Sequence, residues 1–440
     1  MQMRVAPVPE NSYPPALWVR LGNRQRFALL RWPTILMLSF PHRQDGQVPS
    51  NLRSPHGAAS VHLDALRGIA AVGVCANHLR DLLLADYPQV QHHNPVLAAF
   101  YLATGLGHQW VMIFFVLSGY LVGGSVLRSF SMNRWSWRSY LLSRLTRLYV
   151  VLIPALLLGG ALDLAGIHFF GISGIYGGHV GSHELSFDIP AHLRLPVLVG
   201  NYVFLQSIFV TTFGSNSPLW SLANEFWYYL AFPLLVLIVV RSSSIVLRIG
   251  SLISFVFLLS FVGHSIALAG LIWLMGVAIH YLPPFSIQNI YVRRLLVVAA
   301  AGACIATLAW CKLHSSAASD YVLGAVVTAL IYVILCCSRT SAPPAYCWAA
   351  QTLSHSSYTL YLVHLPFVVF LIAWVGHIRL QPTPSQLLLM LAIFAAALAY
   401  ARIVWFLFEK RTDTLREWIK PFVIRSAQKP VSRERVSISS

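Results

Sequence analysis

The side chains of Arg67 and His78 could act together, because they stand eleven residues apart in one apolar stretch, residues 63–78. Eleven residues of α-helix rise about 16 Å and complete almost three turns, so both side chains project from the same face. In a membrane, a guanidinium group at one boundary would be aligned with a base near the middle, and a neutral histidine can take a proton near pH 7. Such groups usually mark function, although a snorkelling arginine and a histidine bonded to another helix would look the same.

Arg144 and Arg147 form a second candidate pair. Residues three apart on a helix face the same way. We expect this pair at a helix N-terminus, where free N–H groups favour anions, and two guanidinium groups there would suit phosphate groups. The alternative is ordinary arginine at the cytoplasmic end of a span, which is common.

A carboxylate, Glu225, follows one helical turn after Ser221 near the start of another apolar stretch. Helix rise places it about 10 Å below the outer membrane boundary, where a carboxylate needs a partner or water. We therefore predict that Glu225 is functional and either orders an acceptor hydroxyl or polarises His78. Ser118 precedes Gly119 in an aromatic run, and since such a small pair allows close helix approach, we predict packing there rather than nucleophilic attack.

A polar stripe marks a further stretch, where Ser357, Tyr361 and His364 recur at i, i+4 and i+7. This spacing puts the three side chains on one helix face. The stripe is equally consistent with a hydrogen-bonded seam between helices and with part of a site.

The elements that must carry these residues are membrane-spanning helices. The chain has 440 residues, of which 57% are hydrophobic and 10% charged, and its mean hydropathy is +0.66. A soluble protein of this length would need far more charge to cover its surface. Apolar stretches of about 18 residues or more predict an all-α polytopic membrane protein with about ten transmembrane helices. We place the spans at about residues 64–84, 104–127, 144–166, 217–240, 245–263, 264–282, 295–313, 320–338, 354–378 and 385–409.

The formal net charge of +17 suggests a nucleic-acid partner at first sight, but its distribution indicates a membrane. With the N-terminus in the cytoplasm, 26 of the 31 lysines and arginines fall in inner segments, four in outer segments and one, Arg402, within a span. The positive-inside rule explains this asymmetry without nucleic acid and predicts that both termini are cytoplasmic. The six cysteines and the histidines of the outer loop 167–216 show no metal-ligand spacing, so we predict no metal.

Two polar segments flank the predicted membrane domain, which covers residues 62–409. Residues 1–61 are rich in proline and arginine, and we interpret them as a cytoplasmic N-terminal extension. Their apolar stretch 27–40 is too short for a span and does not fit an ordinary signal peptide, and Met37 is a candidate alternative start. Residues 410–440 are predicted to form a basic cytoplasmic tail on the inner leaflet.

Five segments, in this order, resemble the acyltransferase family 3 membrane proteins, which are bacterial O-acyltransferases of surface and secreted glycans. The similar segments are residues 63–78, Phe114–Tyr120, Arg144-x-x-Arg147, Leu219–Glu225 and Ser357–His364. Tyr120 stands where the family commonly has Phe, and the resemblance does not cover the N-terminal extension. It runs from about Leu63 to Glu409 with no hydrolase-like domain after it, so we expect the stand-alone type.

The resemblance implies an enzyme of the bacterial inner membrane without a bound cofactor. Its donor substrate would be cytoplasmic acyl-CoA, with acetyl as the default, and its acceptor a carbohydrate hydroxyl reached from the outer side. The family's Arg-x10-His motif maps onto Arg67 and His78, and its Arg-x-x-Arg motif onto Arg144 and Arg147. We therefore predict His78 as the base, with Glu225 as a second catalytic residue and the three arginines binding the CoA phosphates. Possible acceptor-side or supporting residues are Ser118, Ser221, Ser357, Tyr358, Tyr361 and His364.

Two other classes of function remain open. A secondary transporter or glycan translocase would use intramembrane Arg, His and Glu as relays, but the inverted repeats and matching broken helices of such folds are not evident in the sequence. A non-catalytic membrane sensor could bind glycan through the outer loop. The acyl group, the sugar, the choice between direct transfer and an acyl-His78 intermediate, and the oligomeric state are left open by the sequence.

Overall fold

The chain folds as a bundle of α-helices. The computed structural model describes residues 57–172, 174–178, 181–240, 243–338, 341–376 and 378–424. Within these residues there are sixteen α-helices and no named strand. Most of the predicted N-terminal extension, with its stretch 27–40 and Met37, lies outside the described residues, as does the end of the basic tail.

Ten helical stretches in the described part of the chain are long and apolar enough to span a membrane, and shorter helices connect or flank them. The helices are α1 (Ala58–Leu83), α2 (Pro95–Ala103), α3 (Gly107–Ser118), α4 (Gly124–Ser131), α5 (Trp137–Phe170), α6 (Ile189–His192), α7 (Leu195–Tyr202), α8 (Leu219–Val239), α9 (Ile245–Val262), α10 (His264–Ala278), α11 (Ile290–Leu313), α12 (Ala317–Cys337), α13 (Pro344–His355), α14 (Ser357–Val375), α15 (Pro384–Leu407) and α16 (Thr412–Ile424).

The predicted all-α polytopic fold with ten spans is confirmed. The nearly continuous apolar block 245–282 is divided as expected, since α9 ends at Val262 and α10 begins at His264. Gly263 makes the turn between them with a φ of 82°, a conformation that favours glycine. The predicted tail begins as a helix, because α16 forms and packs against α5.

Successive connections alternate between the two ends of the bundle, which brings the predicted outer loops together. The loop after α1 meets the loop after α14, where the Ala85 N–H donates to the Leu380 carbonyl at 2.9 Å. Arg379 of the second loop is ion-paired with Asp86 of the first. We refer to this end as the outer end, following the predicted topology, and the cytoplasmic location of both termini stays a prediction.

The second and sixth spans approach each other closely at two glycines. A Cβ atom on Gly119 would lie 1.8 Å from the Trp273 carbonyl oxygen, and one on Gly276 would lie 2.0 Å from the Val116 carbonyl oxygen. The close packing predicted for this small-residue run is therefore confirmed. Residues 119–123 form a π-helical turn between α3 and α4, a distortion that is frequent at functional sites.

Helix α14 lies at the centre of the bundle and positions much of the site. It packs against α1, α5 and α15, and α1 packs in turn against α3, α13 and α14. Most of the side chains of α14 are buried, including the polar Ser357, Thr359 and His364. Because α14 runs from the inner to the outer end, its polar residues at successive turns mark successive depths in the bundle.

Candidate active site

A cavity of about 210 Å³ lies between α1, α3, α5, α8 and α14. Eight of the eleven predicted site residues line it, namely Arg67, Ser118, Arg144, Arg147, Glu225, Ser357, Tyr358 and Tyr361. The other three, His78, Ser221 and His364, lie further towards the outer end of their helices. The structure therefore brings the predicted donor-binding arginines together in one cavity.

Arg67 is held at this cavity by two partners. Its guanidinium group donates to Asp64 Oδ1 at 3.2 Å and, from Nε, to Ser354 Oγ at 3.1 Å. The Ser354 hydroxyl donates in turn to Asp64 Oδ1 at 2.8 Å. These bonds orient the guanidinium group, and a quarter of the side chain (25%) stays exposed to meet a ligand. A guanidinium group held in one orientation can form two parallel hydrogen bonds to an anion with paired oxygens.

Arg144 and Arg147 extend from α5 into the same cavity, as their spacing predicts. The Arg144 guanidinium lies 5.7 Å and 6.0 Å from the ring centroids of Tyr140 and Tyr229 and donates to Ser125 Oγ at 3.2 Å. Its Nε is buried with no hydrogen-bond partner among the described residues. A guanidinium with an unused donor beside a cavity is suited to an anionic ligand.

The expectation that this pair stands at a helix N-terminus is wrong. Helix α5 begins at Trp137, seven residues before Arg144, because the Ser136 hydroxyl caps it by accepting from the Ser139 N–H. The free N–H groups of the first turn therefore belong to residues that precede both arginines by about 7 Å or more along the helix axis. Anion binding at this cavity must rest on the guanidinium groups themselves.

Glu225 reaches the cavity from α8. Its Oε1 accepts hydrogen bonds from the hydroxyls of Ser118 and Tyr229, each at 2.5 Å, and the Trp273 indole N–H donates to Ser118 Oγ at 3.1 Å. The carboxylate is thus fixed by hydroxyl groups in the wall that the three arginines share. Ser118 supports Glu225 as well as allowing the helices to pack.

The polar stripe of α14 links the cavity to the outer end of the bundle. Ser357, Tyr358 and Tyr361 line the cavity, and the Tyr361 hydroxyl is 2.6 Å from Ser221 Oγ. His364 follows one turn later, with its ring centroid 6.4 Å from that of Tyr361. From Ser357 to His364 the helix rises about 10 Å. Polar side chains therefore follow one another on this face of α14 from the cavity to the outer end, and we call this row the polar line.

His78 and His364 form a stacked pair where this line ends. Their ring centroids are 5.0 Å apart with an 8° angle between the planes, and His78 Nδ1 is 2.8 Å from His364 Nε2. Helix α1 begins at Ala58, six residues before the predicted boundary. His78 consequently lies about 11 Å beyond the midpoint of the helix towards the outer end.

The hydrogen-bond network assigns the protons of both rings. His364 Nδ1 is 2.8 Å from the Leu360 carbonyl oxygen, which can only accept, so Nδ1 carries a hydrogen. A charge on the fully buried His364 would be costly, so its Nε2 keeps a lone pair and accepts from His78 Nδ1–H. Proton exchange on His78 is thereby left to Nε2.

His78 Nε2 faces a carboxylate that no sequence pattern indicated. Glu184, on the loop between α5 and α6, places Oε2 3.3 Å from Nε2, and Asn77 Nδ2 donates to Glu184 Oε1 at 3.2 Å. Burial alone would raise the pKa of the Glu184 carboxyl. When His78 carries a proton on Nε2, its charge and the hydrogen bonds that His78 and Asn77 donate outweigh burial and lower the pKa to about 2. Glu184 is therefore ionised whenever His78 carries this proton.

One protein-family model covers the site residues and most of the helices described above. The model of an acyltransferase domain, that of acyltransferase family 3, matches residues 61–405. The chain belongs to this family. The resemblance carried by the five sequence segments is thus confirmed, and the protein is a multi-pass membrane acyltransferase. None of the curated proteins and none of the solved structures matches the chain.

In this acyltransferase, Asp81 holds the segment 182–184 over the histidine pair. Its Oδ2 accepts from the Ser182 hydroxyl at 2.5 Å and from the Glu184 N–H at 3.2 Å. Arg379 donates to the Asp81 carbonyl at 2.9 Å and lies 3.8 Å from its carboxylate. Because Asp81 follows His78 by three residues on α1, the same helix turn orients His78 and its carboxylate partner.

Three possible metal ligands also meet at the outer end of the acyltransferase. Within the described residues, ligand atoms of Asp81, Asp86 and His183 lie within 4.8 Å of one another. Arg80 and Arg379 pair with both aspartates, so the negative charge that would attract a cation is already matched. This group is best described as an ion-pair network that joins the outer loops.

The sequence contains one signal that could have indicated Glu184. Aspartate and glutamate together number only 14 in 440 residues, and the outer loop 167–216 contains two of them, Glu184 and Asp188. A rare carboxylate on a loop above a histidine within a span is a candidate partner for it. The sequence does not show the path of the loop, because no periodic pattern predicts that residue 184 lies next to residue 78.

Proposed function

We propose that this acyltransferase moves an acyl group, by default acetyl, from cytoplasmic acyl-CoA to a hydroxyl of a carbohydrate that approaches from the outer end, in the inner membrane of a bacterium. The observation that carries the proposal is the polar line from the arginine-lined cavity through Tyr361 to His364, His78 and Glu184. Cations at one end suit a donor with phosphates, and a base at the other end suits a hydroxyl acceptor.

The donor end rests on three guanidinium groups. CoA carries a pyrophosphate and a 3′-phosphate, and Arg67, Arg144 and Arg147 line one cavity. The spare Nε donor of Arg144 and the preset guanidinium of Arg67 favour charge-assisted bonds to phosphate oxygens. The thin pantetheine arm then extends along the polar face of α14 and brings the thioester towards the histidine pair.

The acyl transfer forms one bond and breaks one. His78 Nε2 takes the proton of the acceptor hydroxyl while the hydroxyl oxygen attacks the thioester carbonyl carbon. The tetrahedral intermediate collapses with cleavage of the C–S bond, and the CoA thiolate takes the proton from the imidazolium. The products are the carbohydrate ester and CoA. We propose direct transfer, which needs one acyl-transfer step, whereas an acyl-His78 intermediate would need two.

The test follows radiolabel from acetyl-CoA into envelope glycans. Membrane vesicles from cells with and without the protein receive radiolabelled acetyl-CoA at the cytoplasmic face, and the glycans are analysed by mass spectrometry. Acetylated glycan that depends on the protein supports the proposal. Passage of an unmodified solute into the vesicles without glycan labelling would instead indicate a transporter or translocase.

A further inference from the structure

The contact between Glu184 and His78 depends on the charge of the ring. While Nδ1–H is donated to His364, a neutral His78 presents a lone pair at Nε2, and a lone pair 3.3 Å from a carboxylate oxygen is repelled by it. When Nε2 gains a proton, the same contact becomes an ion pair between an imidazolium and a carboxylate.

Neighbouring residues orient the Glu184 carboxylate towards His78. Oε1 accepts from the buried Asn77, and the backbone N–H is fixed by Asp81, which leaves Oε2 for His78. The Glu184 side chain is 28% exposed, so a ligand can approach the contact from the outer surface. Glu225, in contrast, bonds Ser118 and Tyr229 in the cavity.

We propose that Glu184 is the positioning residue of the proton transfer and stabilises the imidazolium that forms on His78 when the acceptor hydroxyl loses its proton. The inference rests on the proposed function, because it names the group that supports the proposed base. The hydroxyl donates to the neutral Nε2 with Oε2 beside it, and after proton transfer Oε2 pairs with the new N–H. When the imidazolium gives this proton to the CoA thiolate, His78 is neutral again and Glu184 is unchanged.

The test combines substitution with chemical rescue. In Glu184→Ala and Glu184→Gln, transfer from radiolabelled acetyl-CoA to envelope glycans should fall about 10- to 100-fold, the effect of one charge-assisted hydrogen bond. The dissociation constant of acetyl-CoA should stay unchanged. Formate, a small carboxylate, should restore the rate of Glu184→Ala several-fold through the exposed side of the site. Formamide, which has a similar shape and no charge, should not.

Two control variants keep this inference separate from the proposed function. Asp188→Ala removes an exposed carboxylate of the same loop and should transfer at the wild-type rate. His78→Ala should be inactive with or without formate. A wild-type rate in Glu184→Ala beside an inactive His78→Ala would overturn the role of Glu184 alone. So would a loss that formamide repairs as well as formate, or one that formate does not repair. A wild-type protein that transfers no label overturns the proposed function itself.

Discussion

Glu225 and Glu184 are carboxylates at two ends of the same polar line, and their surroundings differ. Glu225 belongs to a spanning helix, shares a cavity with three arginines and accepts from the hydroxyls of Ser118 and Tyr229. Glu184 belongs to an outer loop and faces Nε2 of His78. One carboxylate is surrounded by arginines and hydroxyl groups, and the other faces the residue that we propose as the base.

This difference suggests that the two ends of the bundle have different functions in the reaction. Arginines stay charged at any accessible pH, so the inner cavity can hold a polyanionic donor throughout the reaction. A histidine changes charge near neutral pH, so the outer end is where a proton can be taken up and released. Variants at the two ends should therefore separate donor binding from transfer.

The largest effect is expected at the outer end. His78→Ala removes the proposed base, and transfer should fall by about 10²- to 10⁴-fold while acetyl-CoA binding persists. His314→Ala is the matched control, because this exposed histidine bonds only the Trp310 carbonyl of its own helix among the described residues. Glycan acetylation measured in vesicles checks both variants. Near-normal acetylation in His78→Ala would remove this residue from the mechanism.

At the inner end, the double variant Arg144→Ala, Arg147→Ala should weaken acetyl-CoA binding by about 100-fold or more, since each guanidinium contributes a charge-assisted hydrogen bond. The single change Arg147→Lys should already weaken binding, because an ammonium group loses the planar fork. The dissociation constant of acetyl-CoA is the measurement, and Arg138→Ala, which changes an exposed arginine nearly two turns before Arg144, is the control. Unchanged affinity in the double variant would mean that these arginines serve only membrane orientation.

Glu225→Gln tests the comparison between the two carboxylates directly. The amide keeps the shape and removes the charge from the cavity wall, so acetyl-CoA should bind at least as tightly as to the wild type, with one negative charge fewer near its phosphates. Transfer should fall about tenfold, and formate should not restore it because the carboxylate site in the cavity is still filled by the amide. If Glu225→Gln is abundant, binds donor and transfers at the wild-type rate, then Glu225 is structural.

Much of the inner site could be predicted from sequence because helical spacing alone decides which side chains share a face. Arg144 with Arg147, and Ser357 with Tyr361 and His364, needed only that rule, and the cavity contains or adjoins all of them. The ten spans followed from apolar length in the same way. The starts of the helices were less well predicted, since α1 and α5 both begin six or more residues before the expected boundaries.

The outer site could be predicted only in part. His78 was found from its spacing, but Glu184 is set over it by Asp81, Ser182 and Arg379, which come from three segments distant in sequence. Contacts between loops are not marked by any periodic pattern in the sequence. An ion-pair network can be recognised only when the positions of the helices are known. The residue that distinguishes the acceptor end is therefore the one that needed the structure.

The smallest effect is expected from Ser354→Ala, which loosens Arg67 without removing it. The hydroxyl accepts from the guanidinium and donates to Asp64, so its loss leaves Arg67 with one anchor instead of two. A single hydrogen bond of about 1 kcal/mol corresponds to an affinity change of about fivefold, and we expect acetyl-CoA binding to weaken by that amount.

Ser356→Ala, two residues further along the chain, is the matched control for this variant and should leave donor affinity unchanged. At saturating acetyl-CoA, Ser354→Ala should recover the wild-type transfer rate, because a looser Arg67 affects the donor end only. If Ser354→Ala binds acetyl-CoA normally but transfers more slowly at saturating acetyl-CoA, then Arg67 acts together with the histidine pair, eleven residues along the same helix. In that case the two ends would act as one site, and the separation of fixed charge from proton transfer would not hold.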